Sequence, residues 1–245
     1  MRLVMWDDAP RPVRDRSGAK GLFGVLGATL VLLAVVGVAG TSGTSASPPG
    51  GSFAFLDHQP GTPSVPVTWS SCKPIHVVVN DALAPPGGWD VLMAALDQVH
   101  EASGLEFAVD GRTSALPEGS VRSPNGIDWD PVLVAWTTPE QAPRLEGNVD
   151  GFGGSSAMTD RVSGKKYYVT GRIALDAPQL TKELNGLHGA DGVRGVIVHE
   201  LGHVLGLAHV DDGIETMSKS ARRDGRLGPG DRIGFGQVGA GPCYG

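Results

Sequence analysis

Aromatic residues are scarce in this chain of 245 residues, at 6% of the total, and cysteine occurs only twice. Glycine is abundant by contrast, with 37 residues, and apolar residues make up 40% of the chain. This apolar content excludes a largely disordered chain, and the glycine count indicates a loop-rich fold with tight turns. No internal repeat is apparent. The length allows one domain of comfortable size or two small ones.

Positive charge is also in short supply, with 20 basic against 26 acidic residues and a formal net charge of −6. Five of the basic and three of the acidic residues precede position 41, which leaves 15 and 23 beyond it and a charge of −8. An acidic domain of this kind is poorly suited to nucleic acid or to an anionic membrane surface. We therefore expect no nucleic-acid partner.

The N-terminal region contains one uncharged run, residues 21–39, behind a basic lead in residues 1–20. A run of this length can just span a bilayer, and the basic lead favours the cytoplasmic side. Its glycines lower its hydrophobicity, and small residues near Gly40 and Ala46 offer cleavage sites. A cleaved signal peptide and a single-pass anchor therefore both stay open for residues 21–40. Either one predicts an extracellular protein, secreted or anchored, with membrane contact only through residues 21–39.

Beyond the N-terminal region, composition and periodicity predict a linker followed by one folded domain. Residues 41–66 are rich in Ser, Thr, Pro and Gly, which is typical of a linker, and 67–245 form the domain. Alternation and apolar stripes then predict strands and helices. The predicted strands are 73–80, 105–109, 132–136, 153–158 and 167–175; the predicted helices are 89–103, one with Asp191 as N-cap and a stripe from Val193 to Leu205, and one starting at Pro229.

The segment 199–209 carries most of the chemistry, because it matches the pattern H-E-x-x-H-x-x-G-x-x-H. Residues i and i+4 share one face of a helix, so His199 and His203 can face the same ion. Gly206 tolerates positive φ and can end the helix, which lets His209 reach that ion as well. Three imidazoles with an open fourth position are the plan of a catalytic zinc site. Glu200 can reach a zinc-bound water and act as general base.

This segment resembles the zinc motif of metzincin metalloproteases, closest to the matrixins and their small bacterial relatives. Met217 follows His209 by eight residues and resembles the methionine of the Met-turn beneath the zinc in that family. Residues 150–154 resemble the entry to the matrixin edge strand, and 230–235 resemble the start of its last helix. The likeness covers roughly residues 67–245. It implies an α+β, zincin-like fold: a twisted mixed sheet of about five strands with an active-site helix, a second long helix and a C-terminal helix.

The chain departs from the matrixin pattern in several places, and the matrixin structural-zinc histidines have no counterpart in it. It has no Pro-Arg-Cys-Gly pattern that would cap the zinc, so latency by that route is not expected. The segment 218–220 reads Ser-Lys-Ser where matrixins have the proline and tyrosine of the specificity pocket, which leaves the pocket's depth open.

Calcium is a further candidate cofactor, because related proteases bind it and carboxylates stand in or near loops, at Asp150, Asp176, Asp211 and Asp212.

The two cysteines, Cys72 and Cys243, lie near the two ends of the folded part. In an oxidising compartment two such thiols pair, and we predict a disulfide between them. A rival interpretation makes Cys72 a cap on the zinc. The residues around Cys72 lead straight into a predicted strand, however, and Cys243 would be left without a partner.

The resemblance implies an exported, monomeric zinc endopeptidase that acts on protein or peptide substrates, with Glu200 as general base. A substrate is expected to pair with the edge strand at Gly153, Gly154, Ser155 and Ser156. Two alternatives stay open. One is a catalytically inactive or latent extracellular binding module that keeps zinc for stability, and the other is an amidase acting on cell-wall peptides.

Overall fold

The structure, a computed structural model, describes residues 50–118, 128–220 and 224–244. Within these ranges a short 3-10 turn, Pro143–Leu145, precedes the sixth strand. The strands and helices follow in chain order: β1 (His58–Gln59), β2 (Thr62–Pro66), β3 (Ile75–Asn80), α1 (Gly88–Ser103), β4 (Phe107–Arg112), β5 (Val132–Thr137), β6 (Gly151–Thr159), β7 (Lys166–Asp176), α2 (Ala177–Leu184), α3 (Gly189–Leu205) and α4 (Pro229–Gly239).

Five strands form one mixed sheet in the order β4-β3-β5-β7-β6. The strands β4, β3, β5 and β7 run parallel to one another, and β6 lies antiparallel to β7 at the edge of the sheet. A parallel pair needs a long crossover connection, which α1 supplies between β3 and β4. Helix α3 contacts β6, β7 and α1, and α4 contacts α1. The predicted α+β fold with a five-stranded mixed sheet is therefore confirmed.

Helices α1 and α3 differ in how they are buried. In α1 the apolar residues recur at helical spacing and form one buried stripe, which includes Leu92, Leu96 and Val99. In α3 every residue from Gly195 to Leu205 is buried, including three ionisable ones. A helix that is buried on all sides lies inside the domain rather than on its surface. Helix α3 therefore holds its polar side chains in a fixed, water-poor environment.

Two details of the helices differ from the prediction. Helix α3 begins at Gly189 with His188 as its N-cap, so the prediction of Asp191 as the cap is wrong. Asp191 lies in the first turn instead and pairs with Arg194 at 2.8 Å. Helix α2 was not predicted at all. The carboxylate of Asp176 caps it by accepting the N–H of Gln179 at 2.9 Å.

The stretch predicted as a linker, 41–66, is described from residue 50 onward, and there it packs on the domain. The N–H of Leu56 donates to Gly206 O at 2.9 Å, and the N–H of Ala208 donates to Ala54 O at 2.8 Å. The same stretch continues into the β1–β2 hairpin. These bonds join segments about 150 residues apart, and local composition carries no signal for pairing over such a distance.

Across the described ranges, no helix combines the length and the apolar character needed to cross a bilayer. This finding overturns the predicted localisation of an extracellular protein, secreted or anchored by one N-terminal span. The region 1–20 and the segment 21–40, from which that prediction came, lie outside the described residues.

The predicted disulfide is confirmed: Cys72 and Cys243 are bonded, with their Cα atoms 5.2 Å apart and a sequence separation of 171. The hydroxyl of Ser70 donates to Tyr244 O at 3.0 Å, and its oxygen accepts the N–H of Tyr244 at 2.9 Å. The C-terminal segment is therefore fixed next to the start of β3 by covalent and hydrogen bonds.

Candidate metal centre

Three histidine nitrogens converge at the end of α3. The Nε2 atom of His203 lies 3.0 Å from that of His199 and 3.2 Å from that of His209, and the third separation is 3.1 Å. His199 and His203 are fully buried. Among the described residues, these three are the only group of three or more histidine, cysteine or carboxylate side chains arranged to hold a metal ion.

Backbone carbonyls fix which nitrogen of each buried ring carries the proton. The Nδ1 atom of His199 lies 2.6 Å from Thr216 O, and that of His203 lies 2.8 Å from Leu207 O. A carbonyl oxygen only accepts, so each Nδ1–H is the donor and each Nε2 carries a lone pair. The carbonyls thereby also set the orientation of both rings.

Burial keeps these imidazoles neutral. The pKa of His199 is lowered from 6.5 to about 3, chiefly by burial; the bond to Thr216 O opposes this change, and the neighbouring His209 contributes to it. Burial also lowers the pKa of His203 well below its ordinary value, with help from His199 and His209. Lone pairs that face one another at about 3 Å repel unless a cation lies between them. The arrangement therefore fits a bound metal ion.

Gly206 allows the chain to turn back after α3. It has a φ of 106°, in the left-handed region that favours glycine, and its N–H closes the helix on the carbonyls of Gly202 and His203. A Cβ atom at this position would lie 2.8 Å from the ring of Tyr168, so the turn has no room for a side chain. This turn brings His209 back to the two helical histidines.

Met217 is buried in the core next to α3. A Cβ atom on Gly202 would lie 2.4 Å from Met217 Sδ, so the helix and the methionine make contact because position 202 lacks a side chain. The carbonyl of the preceding residue, Thr216, is the one that holds His199. The turn at 214–217 therefore holds the His199 ring directly.

Two buried carboxylates that the sequence did not reveal hold this turn. Asp231 accepts the N–H groups of Thr216, Met217 and Gly228 at 2.5, 3.1 and 2.8 Å. Glu215 accepts those of Ser52, Gly230 and Asp231 at 3.2, 3.0 and 3.0 Å. Asp231 is three residues after Gly228, the N-cap of α4, which is the spacing of a capping box and the one sequence signal that could have revealed it. Glu215 has no local signal.

Glu200 projects from α3 toward β6. Burial raises its pKa well above the ordinary 4.5, and the nearby Asp150 raises it further, whereas Arg144 and the N–H of Gly153 lower it. Neither of its carboxylate oxygens makes a hydrogen bond of normal geometry within the described residues. A Cβ atom on Gly153 would lie 3.1 Å from Glu200 Oε2 and 2.8 Å from its backbone oxygen. The glycines of β6 therefore let the strand approach this carboxylate.

The predicted edge residues, Gly153, Gly154, Ser155 and Ser156, all lie in β6 at the edge of the sheet. The side chain of Ser155 points inward, because its hydroxyl donates to the carbonyl of Val204 in α3. Sequence alone did not reveal this contact. The other edge of the β6 backbone, away from β7, is the one on which an extended chain can pair.

The four carboxylates considered for calcium have different surroundings. Asp176 caps α2, the N–H of Ile214 donates to Asp212 at 3.2 Å, and Asp150 influences Glu200. Asp211 is exposed. Calcium binding at these positions stays a prediction.

Comparisons with known proteins give a likeness to solved structures alone. No family model matches the chain, and no curated protein matches it. Among solved structures the chain is similar to archaemetzincin from Methanopyrus kandleri, with 21% sequence identity and a TM-score of 0.39. The likeness covers 66% of this chain and 87% of that chain. The chemistry of the site therefore rests on the residues of this chain.

Proposed function

We propose that this protein is a zinc-dependent endopeptidase, with His199, His203 and His209 as metal ligands and Glu200 as the general base. The observation that carries the proposal is the convergence of three imidazole Nε2 atoms, 3.0–3.2 Å apart, next to the residue that bears a buried carboxylate. Met217 and the turn before it support the ligands from below.

Zinc is the ion that suits this donor set best. Imidazole nitrogens bind zinc at about 2.0–2.1 Å, and three of them in a tetrahedral arrangement lie about 3.3 Å apart. The separations of 3.0–3.2 Å are close to this value. Three protein ligands leave one position open, as in catalytic rather than structural zinc sites. When bound, zinc would act as a Lewis acid that lowers the pKa of a bound water to about 7 and polarises the carbonyl group of the substrate.

Glu200 is suited to the proton transfers of amide hydrolysis. A carboxylate whose pKa is raised toward neutrality is a better proton acceptor than one of ordinary pKa, and it gives the proton up again readily. Burial, and to a smaller extent Asp150, raise the pKa of Glu200 above the ordinary 4.5. Its carboxylate accepts a proton from the attacking water and then passes it to the leaving amine. Arg144 and the Gly153 N–H oppose this change by lowering the same pKa.

The edge strand β6 supports a peptide as the substrate. It extends over nine residues, Gly151–Thr159, and Gly151 and Gly153 approach Glu200. An extended peptide that pairs with this edge through its main chain lies beside the carboxylate and continues past it. This favours cleavage within a chain over removal of a terminal residue.

The test uses the purified full chain, casein, and peptides blocked at both ends, with zinc content measured in each preparation. We expect the wild type to contain one zinc ion and to cut the blocked peptides. Glu200→Ala should keep the zinc and lose activity by a factor on the order of 10²–10⁴, the usual contribution of a general base. Glu101→Ala, on the exposed face of α1, serves as the charge-matched control and should cleave at the wild-type rate.

Two results would contradict the proposal. One is a zinc-loaded wild type that cuts neither casein nor the blocked peptides, which would favour a metal-stabilised protein without this activity. The other is a Glu200→Ala variant that cleaves as fast as the wild type.

A further inference from the structure

The last turn of α3 is held by side chains from two other segments. The final carbonyls of a helix have no intrahelical donor and need partners from elsewhere. The carbonyl of Val204 accepts two side-chain hydrogen bonds, one from Trp69 Nε1 at 2.8 Å and one from the hydroxyl of Ser155. Trp69 follows β2, and Ser155 lies in β6.

The surroundings of this carbonyl are built to accept both donors. A Cβ atom on Gly171 would lie 3.2 Å from Ser155 Oγ and 3.2 Å from Val204 Cγ1, so a side chain there would crowd the contact. The ring of Trp69 lies 6.4 Å from that of Tyr168, which in turn covers Gly206. Trp69 and Ser155 thus hold the helix end, and Tyr168 covers the turn that follows it.

This turn determines the positions of two of the three metal-site histidines. The ring of His203 is oriented by the carbonyl of Leu207, which lies in the turn, and His209 follows two residues later. On its other side the turn is bonded to residues 54 and 56. Movement of Val204 therefore changes both the orientation of the His203 ring and the approach of His209.

We propose that Ser155 and Trp69 are positioning residues of the metal centre, which hold the Val204 carbonyl and thereby set the geometry of His203 and His209. The inference rests on the metal site of the proposed function, and it does not depend on peptide hydrolysis. It gives β6 a second role, because the strand beside Glu200 also fixes the histidines.

The test measures metal affinity rather than activity, in the full chain, with variants that remove one donor at a time. Ser155→Ala removes the hydroxyl, and Trp69→Phe keeps an aromatic ring but removes the N–H. Zinc affinity is measured by competition with a chelating indicator, and the ligand geometry by the visible absorption of the cobalt-substituted protein. Partners that orient metal ligands typically contribute about 10- to 100-fold in affinity. We expect each variant to bind zinc at least about 10-fold more weakly and to show an altered cobalt spectrum.

Each variant has a matched control. Ser156→Ala changes the next residue of β6, whose side chain points to the opposite side of the strand. Trp136→Phe makes the same change at a buried tryptophan whose Nε1 has no hydrogen-bond partner among the described residues. Both controls should keep the wild-type cobalt spectrum and bind zinc as tightly as the wild type.

Wild-type affinity and an unchanged cobalt spectrum in Ser155→Ala and Trp69→Phe would overturn the inference. An equal loss in both controls would also overturn it, since the effect would then be general destabilisation. A wild type that binds zinc but cuts no peptide would contradict the proposed function alone, and the titrations would still decide the roles of Ser155 and Trp69. A wild type that binds no zinc would contradict both.

Discussion

Met217 fills the space that a side chain at Gly202 would need. A Cβ atom on Gly202 would lie 2.4 Å from Met217 Sδ, 3.0 Å from its Cε and 3.4 Å from the ring of Phe235. Gly202 lies in α3 between the two helical histidines, and Met217 follows the residue whose carbonyl holds His199. The contact therefore sets the distance between the metal-site helix and the turn beneath it.

This relationship predicts the effect of Gly202→Ala. The added methyl group forces Met217 to move within a close-packed core, and overpacking of this kind costs about 1–3 kcal/mol. The movement also shifts the Thr216 carbonyl, so zinc affinity should fall. Urea unfolding and chelator competition measure the two effects. Gly213→Ala is the control, because nothing lies within 4 Å of a Cβ atom there. Equal stability of the two variants would contradict the prediction.

Glu215→Ala should be severely destabilising although residue 215 does not face the metal. Its carboxylate accepts three backbone N–H groups, from Ser52, Gly230 and Asp231, and the residue is fully buried. Removing it leaves three N–H groups without a partner, two of them buried and that of Ser52 partly buried, which costs about 3 kcal/mol or more. Chemical denaturation of the variant, beside Glu101→Ala, tests this. Glu215→Gln, which keeps one carbonyl oxygen, should fall between them.

The stability of the metal-free protein should depend on the buried histidines between about pH 7 and pH 5. Burial lowers the pKa of His199 to about 3 in the folded state, below the 6.5 of the unfolded chain. The unfolded state therefore binds more protons in this window, and folding is favoured as pH rises and opposed as it falls. His203 acts in the same direction. We expect a loss of about 1 kcal/mol per histidine between pH 7 and 5.5.

The measurement is best made in a Glu200→Gln background. The raised pKa of Glu200 acts in the opposite direction, because ionisation of this buried group costs stability as pH rises above 4.5. The glutamine variant removes that opposing contribution. Urea unfolding at a series of pH values, with a chelator present, gives the slope. Stability that is constant from pH 7 to pH 5.5 would contradict the neutral state assigned to the histidines.

The disulfide should contribute strongly to stability because it closes a loop of 171 residues. The chain-entropy model gives about 5 kcal/mol for a loop of this size. The double variant Cys72→Ser, Cys243→Ser should therefore unfold at a much lower urea concentration than the wild type. Hydrogen bonds between Ser70 and Tyr244 remain in the variant, so its zinc affinity should change little. An unchanged unfolding midpoint would contradict this account.

The convergence of the three histidines could be predicted from the sequence because it follows local rules. The spacing of His199 and His203 is one helical turn, and the glycine that ends α3 is the residue type most tolerant of its φ of 106°. The five predicted strands of the sheet and both long helices also lie near their observed bounds, since each shows a regular apolar pattern.

The parts that sequence did not predict depend on contacts between distant segments. The bond from Trp69 to Val204 spans 135 residues, and that from Ser52 to Glu215 spans 163. No periodicity marks such pairs. Helix α2 is different, because the Asp-Ala-Pro sequence at 176–178 is a local helix-start signal.

Removal and restoration of zinc in the wild-type full chain tests the central claim most directly. Casein cleavage and bound metal are measured in one preparation, before treatment with a chelator, after it, and after titration with zinc. We predict that cleavage disappears with the metal and returns in proportion to added zinc, reaching its maximum at one ion per chain. Cleavage that persists in the metal-free protein, or zinc bound at one ion per chain without any cleavage, would contradict the account.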